Sequence, residues 1–329
     1  MDIELKAVLY ALGGLGGLGL IFGAGLAVAS RVFAVKTDPK YDEVLEVMPG
    51  ANCGACGFPG CAAYAAAIAS GQAAIDLCPP GGAALVKDLS RIMGVEAPET
   101  SDRAVATPYC NGGCEAAPVR FIYEGIKDCH AAAALSGGDK GCKYGCVGYG
   151  TCVIACPFDA ITMDDQNIPV VDDDKCTGCG ICVSECPKNI FSLRPISKKV
   201  HIRCRSHDRG PVVRKLCTVG CIGCQICVKT CPFDAIYMDN NLAIIDYAKC
   251  RNCGLCIAKC PTKTIHGELE GLPKAYIEDG CIGCSMCKEV CPVDAITGEL
   301  NELHVVDQEK CVSCEICAEK CPPQVIVMK

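Results

Sequence analysis

Cysteines dominate the chemistry open to this chain, because 33 of its 329 residues are cysteine. Most fall into six near-copies of one motif, in which three closely spaced cysteines precede a fourth that is followed by proline. Five copies read C-x2-C-x2-C-x3-C-P and begin at Cys176, Cys221, Cys250, Cys281 and Cys311. The copy from Cys142 is stretched to C-x3-C-x5-C-x3-C-P. This spacing is typical of cysteines that bind [4Fe–4S] clusters and carry electrons.

Disulfides and zinc are the two other uses of so many cysteines. A disulfide scaffold is typical of short secreted chains. Here the chain is long, the cysteine count is odd and the spacing repeats. Structural zinc sites use two well-separated cysteine pairs, whereas three cysteines crowd within seven residues here. Both alternatives are therefore disfavoured, and the thiols are expected in a reducing, low-oxygen compartment.

A separate small module precedes the repeats. Its cysteines follow the spacing C-x2-C-x4-C-x16-C-P, and they are Cys53, Cys56, Cys61 and Cys78. The first three lie in the loop NCGACGFPGC, and the alanine-rich run after Cys61 predicts a helix that ends at Gly71. A second helix is expected over residues 83–93. One cluster is predicted in this α-rich module.

From residue 142 onward the motifs form three tandem repeats with two motifs in each. Apolar segments such as FDAITM and PVVDDDKC predict two strands between the motifs of a repeat. In a two-cluster ferredoxin the fourth cysteine of each motif binds the other cluster. The predicted ligand sets are Cys142, Cys146, Cys152 with Cys186; Cys176, Cys179, Cys182 with Cys156; Cys221, Cys224, Cys227 with Cys260; Cys250, Cys253, Cys256 with Cys231; Cys281, Cys284, Cys287 with Cys321; and Cys311, Cys314, Cys317 with Cys291.

These sets and the N-terminal one use 28 cysteines as iron ligands and predict seven [4Fe–4S] clusters, with no catalytic residue. Five cysteines remain: Cys110, Cys114, Cys129, Cys204 and Cys217. A single remaining cysteine would be read as a buried apolar thiol. With five, an eighth cluster becomes an alternative, and its expected ligands are Cys110, Cys129, Cys204 and Cys217.

A basic segment separates the first two repeats. Residues 194–215 hold eight Lys and Arg and one acidic residue, although the formal net charge of the whole chain is −7. The segment could neutralise cluster charge as a structural strap, or it could be a docking surface for an acidic redox partner. The acidic balance of the chain argues against nucleic-acid binding.

The N-terminus predicts a membrane anchor. Residues 7–30 carry no charge, and 24 helical residues can cross a hydrocarbon core of about 30 Å. A signal peptide would have a basic n-region, whereas MDIELK is mixed in charge. The pairs Gly13/Gly17 and Gly19/Gly23 would allow close packing against another membrane helix. The positive charges that follow the helix place the remainder on the cytoplasmic side of the inner membrane, as a single-pass protein.

The predicted fold class is therefore α+β. It consists of an N-terminal transmembrane helix, the small α-rich module and three tandem two-cluster ferredoxin-like modules. The predicted segments are the anchor, 1–31; a linker, 32–48; the N-terminal cluster module, 49–98; a connecting segment, 99–141; module 1, 142–193; the basic inter-module segment, 194–220; module 2, 221–268; and module 3, 269–329.

This order of features resembles the B subunit of the Rnf complexes, the ion-pumping ferredoxin:NAD+ oxidoreductases of bacteria and some archaea. The resemblance covers essentially the whole chain. Its most specific part is CGACGFPGC followed by CPPGG, whereas the ferredoxin motifs alone are generic. Many members carry one ferredoxin module, so the three modules here resemble the long form found in strict anaerobes.

The resemblance implies an electron relay that belongs to an oxidoreductase and translocase complex. The relay would accept electrons from ferredoxin and pass them within a membrane assembly of flavin-bearing, NADH-binding and integral membrane subunits. The electron flow would be coupled to export of Na+ or H+. The alternative is a membrane-tethered polyferredoxin that serves a hydrogenase or another reductase.

Overall fold

The computed structural model describes residues 2–32, 39–98 and 102–329. Its first element, helix α1, spans Asp2–Val32 and contains the predicted anchor. The stretch Gly13–Ser30 is long and apolar enough to cross a membrane, and none of that window is buried within the protein. Leu20, Ile21 and Leu26 are each more than 70% exposed. This helix therefore has an apolar surface that the rest of the described residues do not cover.

The N-terminal module is built from three helices, α2 (Pro39–Val47), α3 (Cys61–Ala69) and α4 (Gly82–Met93). Their core contains Val44, Tyr64 and Leu89, each at most 1% exposed. Helix α4 ends at Gly94, whose φ of 70° is the left-handed conformation that favours glycine. Both helices predicted in this module are confirmed.

The first repeat extends further toward the N-terminus than its cysteine motifs. In chain order its elements are β1 (Ala104–Pro108), α5 (Cys129–Ala134), α6 (Thr151–Ile154), β2 (Ile161–Met163), β3 (Pro169–Val171), α7 (Ile181–Glu185) and β4 (Phe191–Pro195). Strands β2 and β3 form an antiparallel hairpin, and β1 pairs antiparallel with β4. The predicted connecting segment 99–141 therefore contributes a strand to this repeat. Sequence reasoning misses that strand because its residues, with polar neighbours and a proline, are typical of a linker.

The next stretch repeats this order of elements. It contains β5 (His201–Ile202), α8 (Gly210–Leu216), α9 (Ile226–Thr230), β6 (Ile236–Asp239), β7 (Leu242–Ile245), α10 (Leu255–Lys259) and β8 (Ile265–His266). The hairpin is β6–β7, and β5 pairs with β8. Strand β5 lies in the predicted inter-module segment 194–220, so this segment also belongs in part to the repeat that follows it.

The C-terminal stretch has the same plan without an inserted helix. Its elements are β9 (Ala275–Ile277), α11 (Met286–Glu289), β10 (Ile296–Thr297), β11 (Val305–Val306), α12 (Ile316–Lys320) and β12 (Ile326–Met328). Strands β10 and β11 form the hairpin, and β9 pairs with β12. In each stretch the first strand pairs with the last strand, and short helices lie before and after the hairpin in the chain.

A residue in left-handed conformation precedes each of the six short helices that carry the third cysteine of a motif, namely α6, α7, α9, α10, α11 and α12. The residue before α9, α11 and α12 is Gln225, Ser285 or Glu315, with φ between 60° and 64°. A non-glycine residue in this conformation costs roughly 1 kcal/mol. The third cysteine of the motif follows inside the helix and is buried. Metal ligation contributes folding free energy directly, which can offset such local strain.

The exposed anchor gives a first prediction. Deleting residues 1–32 should leave the remaining fold intact, because the Gly13–Ser30 window of α1 buries nothing against it. After anaerobic expression and fractionation, the truncated chain should move to the soluble fraction with the same iron content per chain as the full-length protein. A truncated chain that stays in the membrane fraction, or that loses iron, would contradict this assignment of α1.

Candidate iron–sulfur centres

The clearest centres lie in the C-terminal stretch. Four cysteines line a cavity of about 290 Å³, and they are Cys281, Cys284, Cys287 and Cys321. A second cavity, of about 350 Å³, is lined by Cys291, Cys311, Cys314 and Cys317. In both cavities three cysteines of one motif meet the fourth cysteine of the other motif. The geometry agrees with the crossed ligand sets predicted for a two-cluster ferredoxin.

The same crossing occurs in the middle stretch. A cavity of about 360 Å³ is lined by Cys221, Cys224, Cys227 and Cys260. The amide of Thr264 donates a hydrogen bond of 3.4 Å to the Cys260 sulfur. Burial opposes ionisation of Cys260, but this bond and others from Ile265 and Thr262 lower its pKa overall. Such N–H···S bonds stabilise a thiolate ligand.

The partner quartet of the middle stretch is identified by charge interactions. Burial, together with the thiolate charges of Cys253, Cys250, Cys227 and Cys231, raises the pKa of Cys256 to about 12. The pKa of Cys253 is raised in the same way by burial and by Cys231 and Cys250. The fourth cysteine of the first motif therefore lies beside the first three of the second motif.

Two further quartets follow the predicted sets. In the N-terminal module, burial raises the pKa of Cys78, and the charges of Cys56, Cys53 and Cys61 add to this effect. In the first repeat, burial raises the pKa of Cys182 to about 12, with further contributions from neighbouring thiolates. These neighbours include Cys176, Cys179 and Cys156.

The stretched motif of the first repeat is arranged differently from the prediction. Burial, together with the thiolate charges of Cys129 and Cys186, raises the pKa of Cys152 to about 12. The amide of Cys129 donates a 2.8 Å hydrogen bond to the hydroxyl of Thr151, the residue before Cys152. The sequence predicts Cys129 as a ligand of an eighth cluster, but it lies beside Cys152 and Cys186. It occupies the position for which the sequence predicts Cys142.

Cys142 instead lines a cavity of about 480 Å³ with Cys110, Cys204 and Cys217. The structure thus brings together three of the four cysteines expected around an eighth cluster, with Cys142 in the place of Cys129. Burial raises the pKa of Cys217, and among the charges that raise it further are those of Cys110 and Cys142. The sequence signal for this exchange is the lengthened spacing itself, three and five residues instead of two and two.

Cys114 lies apart from these quartets, on the surface. Its sulfur accepts a hydrogen bond of 3.2 Å from the Asn167 side chain and lies 3.4 Å from the Gln166 carbonyl oxygen. The sequence leaves it as the spare cysteine, and the structure gives it local polar partners rather than other thiols.

The quartets fit a cluster better than a single metal ion. Among the described residues, no group of three or more His, Cys, Asp or Glu side chains is arranged to hold one metal ion. Zinc ligands sit about 2.3 Å from their metal and so crowd together, whereas the ligands of a four-iron cluster surround a much larger group. The apolar, cysteine-lined cavities therefore suit [4Fe–4S] clusters.

The basic segment is mostly directed inward. Arg194 is buried, and its guanidinium lies 2.7 Å from the carboxylate of Asp173. The Lys198 ammonium donates a 2.8 Å bond to the carbonyl oxygen of Cys250, and the Arg205 guanidinium stacks over the ring of Tyr109 at 4.6 Å. These contacts favour the strap interpretation for this half of the segment.

Only the end of the segment is a free basic surface. Arg209, Arg214 and Lys215 are exposed, on α8 or directly before it. Among the described residues, none of these three side chains has an ion-pair or hydrogen-bond partner. The docking interpretation, which the sequence left open, can therefore apply to these three residues.

Comparison with protein families finds iron–sulfur domains along the chain. A model described as "Putative Fe-S cluster" matches residues 48–80. A model described as "4Fe-4S dicluster domain" matches residues 142–193, 243–298 and 275–328, and another with the same description matches residues 220–264. Tandem [4Fe–4S] domains are thereby confirmed.

Curated relatives match most of the chain. The B subunit of the Na(+)-translocating ferredoxin:NAD(+) oxidoreductase complex of Acetobacterium woodii is 50% identical over 83% of this chain and 82% of its own length. The proton-translocating counterpart from Clostridium ljungdahlii is 49% identical over 71% of this chain and 82% of its own length. The corresponding subunit of the ion-translocating oxidoreductase complex of Methanosarcina acetivorans is 43% identical over 72% of this chain and 89% of its own length.

The chain belongs to the B-subunit family of ion-translocating ferredoxin:NAD(+) oxidoreductases. The family identified from the sequence is therefore confirmed. Among solved structures, a chain of the formate dehydrogenase–heterodisulfide reductase–formylmethanofuran dehydrogenase complex of Methanospirillum hungatei matches 54% of this protein and 73% of that chain, at 25% identity. Its TM-score of 0.24 is too low to indicate a shared overall fold.

Crossed ligation in this family member gives a second prediction. In a Cys291→Ala variant, Cys311, Cys314 and Cys317 should become open to alkylation under anaerobic conditions, because their cluster loses a ligand. Cys281, Cys284 and Cys287 should stay protected. Mass spectrometry of the labelled peptides measures both sets.

Cys321→Ala is the matched control, and it should expose the opposite set. If Cys291→Ala exposed Cys281, Cys284 and Cys287 while leaving the other three protected, ligation would be local to each motif and the crossed arrangement would be wrong.

Proposed function

We propose that this chain is the electron relay of a membrane-bound ferredoxin:NAD+ oxidoreductase complex. The observation that carries the proposal is a series of cysteine quartets along a chain of this family. Two reduced ferredoxins would give up one electron each, and the complex would deliver both electrons with one proton to NAD+ to form NADH. This chain would supply the cysteines that hold the clusters, seven of them in the N-terminal module and three tandem ferredoxin-like modules.

Contacts between quartets support a path along the chain. Burial is the main cause that raises the pKa of Cys179, and the charge of Cys53 in the N-terminal module raises it further. These two quartets are therefore neighbours. The charge of Cys314 acts in the same way on Cys253. At that second junction the Arg251 guanidinium lies 2.8 Å from the carboxylate of Glu319. Neighbouring quartets matter because electron transfer slows steeply with distance.

The anchor orients this path. Helix α1 precedes the N-terminal module in the chain, so the Cys53 quartet would lie at the membrane end and the C-terminal stretch would lie farther along the series. The basic residues after the helix favour a single-pass arrangement with the cluster modules in the cytoplasm. The exposed, glycine-rich face of α1 would pack against an integral membrane protein of the complex. Flavin-bearing and NADH-binding subunits would complete the complex.

A loss of the membrane-end quartet tests this function. Membranes from a strain that lacks the native chain would be supplied with either the wild-type chain or a Cys53→Ala/Cys56→Ala variant. With the variant, NAD+ reduction by reduced ferredoxin should fall to the level of membranes without the chain. NADH oxidation by an artificial electron acceptor should persist, because it needs only the NADH-binding part.

Two results would count against the proposal. Wild-type ferredoxin:NAD+ activity in the variant would show that electrons bypass this chain. Co-purification of the chain with a hydrogenase, together with ferredoxin-dependent hydrogen formation and no NAD+ reduction, would favour the alternative of a tethered polyferredoxin.

The free basic surface is the proposed docking site for the donor. Ferredoxins are usually acidic, and Arg209, Arg214 and Lys215 present unpaired positive charge within the described part of the chain. A Cβ added at Gly210, where α8 begins, would lie 2.5 Å from the carbonyl oxygen of Ile222, so this surface abuts the motif of the Cys221 quartet. Residues 269–329 hold 5 Lys and Arg but 11 Asp and Glu. Their charge makes the C-terminal stretch a poorer docking surface for an acidic donor.

Reversing these charges gives a further prediction. An Arg209→Glu/Arg214→Glu/Lys215→Glu variant should be reduced by ferredoxin several-fold more slowly at low salt, because long-range attraction is lost. The difference should shrink as salt shortens the Debye length to about 8 Å near physiological ionic strength. Stopped-flow absorbance of the clusters measures the rate.

A variant with Lys87→Glu, Lys249→Glu and Lys320→Glu is the matched control. It has the same change in net charge on exposed residues elsewhere, and it should be reduced at close to the wild-type rate. If ferredoxin reduced both variants equally slowly, the effect would come from net charge alone, and α8 would not be the docking site.

A further inference from the structure

We infer that an additional [4Fe–4S] cluster lies between the first and second repeats, held by Cys110, Cys142, Cys204 and Cys217. In the first repeat, Cys129 then takes the place of Cys142 beside Cys146, Cys152 and Cys186. The cavity that the four cysteines of the additional site line, at about 480 Å³, is larger than the cavities of three other quartets, at 290–360 Å³, so it has room for the same kind of cluster. Such a cluster would form whichever donor or acceptor the chain serves.

The sulfur positions converge on the interior of this cavity. A Cβ added at Gly112 would lie 3.2 Å from the sulfur of Cys217 and 3.8 Å from that of Cys110, so both sulfurs approach one point. A side chain at Gly112 would enter that space, which explains why glycine suits this position. Cys110 and Cys204 also occupy equivalent places, because each closely follows the first strand of its repeat, β1 or β5.

Backbone amides are directed at these sulfurs, as they are in the other quartets. The amide of Cys146 donates to the sulfur of Cys110 at 3.3 Å, and the amide of Ser206 donates to that of Cys204 at 3.4 Å. Comparable bonds reach Cys176, Cys260 and Cys291, at 3.3–3.4 Å. Amide donors of this kind stabilise the negative charge of cluster ligands.

Positive charge around the cavity suits an anionic group. Arg203 and Arg205 line it, and the Nε atoms of both are buried without a hydrogen-bond partner among the described residues. The acidic residue among its lining, Asp208, lies 3.5 Å from the ammonium of Lys143. A cluster with four thiolates is dianionic when oxidised, so it would offset the charge of these two partly buried guanidinium groups.

The exchange of Cys129 and Cys142 has a local structural cause. Asp128 caps α5 by accepting hydrogen bonds of 2.9 Å from the amides of His130 and Ala131. The other carboxylate oxygen of Asp128 accepts a 2.8 Å bond from the hydroxyl of Thr151. This link fixes the start of α5, where Cys129 lies, against the start of α6, where Cys152 lies. Cys142 is left free to face the neighbouring cavity.

The additional cluster would allow electron transfer between the first and second repeats, and its ligands would also link the two repeats structurally. On one side, the amide of Cys146 contacts the sulfur of Cys110. On the other side, Cys204 and Cys221 both pack against the same buried hydrophobic cluster of the second repeat. Two ligands of the additional site come from the first repeat and two from the basic segment and the residues directly after it. A cluster here would therefore complete the series of quartets where it otherwise has a gap.

Pairs of alanine variants test the ligand set. Losing one or more ligands of a single cluster should remove about four iron atoms, whereas losing ligands of two clusters should remove about eight. We expect Cys142→Ala/Cys217→Ala to lose about four iron atoms and Cys129→Ala/Cys217→Ala to lose about eight. Iron, labile sulfide and Mössbauer areas of the full-length, anaerobically purified chain are the measurements. Cys114→Ala is the matched control and should lose none.

The opposite result would overturn the inference: a loss of about eight from the first double variant and about four from the second would assign Cys129, not Cys142, to this site. Native mass spectrometry of the unmodified chain keeps the test decisive if a variant does not accumulate. Eight clusters per chain support the additional site. Seven clusters, with all four of these cysteines alkylated under native conditions, exclude it.

Discussion

The bond between cysteine sulfur and iron is the interaction on which the rest of this structure depends. Each repeat has only small sheets of two strands and helices of a few residues, and isolated elements of this size are marginal in water. The buried core of each repeat is small and combines cysteines with a few apolar side chains, mostly Ile, Val and Ala. Metal ligation must therefore supply folding free energy that a larger apolar core would otherwise provide. The crossed arrangement of the quartets would make the two halves of a repeat support each other's folding.

Much of this architecture could be predicted from the sequence because the motifs specify both chemistry and local geometry. The spacing C-x2-C-x2-C allows little freedom, and the quartets of the second and third repeats are arranged as the motif implies. Helices α3 and α4 of the N-terminal module were also predictable, since Gly71 and Gly94 mark the ends of alanine- and leucine-bearing segments. Helix α2 was not, because it lies in the predicted linker 32–48 and gains its place in the core through Val44. The strands β1 and β5 were not predictable. They are short, lie beside polar or basic residues, and gain their structure from pairing with strands far along the chain.

The exchange of Cys129 and Cys142 could not be predicted from the spacing of the motif. A regular motif contains all of its ligands within a short loop, so spacing alone determines the site. The stretched motif has extra residues that let its first cysteine leave the loop, and a cysteine 23 residues before Cys152 takes its place. What decides the exchange is the contact between Asp128 and Thr151, which has no signature in the sequence. Leftover cysteines are thus assigned by tertiary contacts, not by their distance along the chain.

The basic segment divides into an inward-facing half and an exposed half, and this division is evident only from the structure. Its inward half offsets charge: Arg194 pairs with Asp173, and Arg203 and Arg205 line the cavity between the first two repeats. Positive charge near a cluster stabilises its reduced, more negative form and so raises its reduction potential. The cavities of the second and third repeats have no Lys or Arg in their lining, as far as the structure describes them. A cluster between the repeats would therefore hold electrons more favourably than clusters in these three cavities, and the exposed half of the segment would bring an acidic donor close to that position.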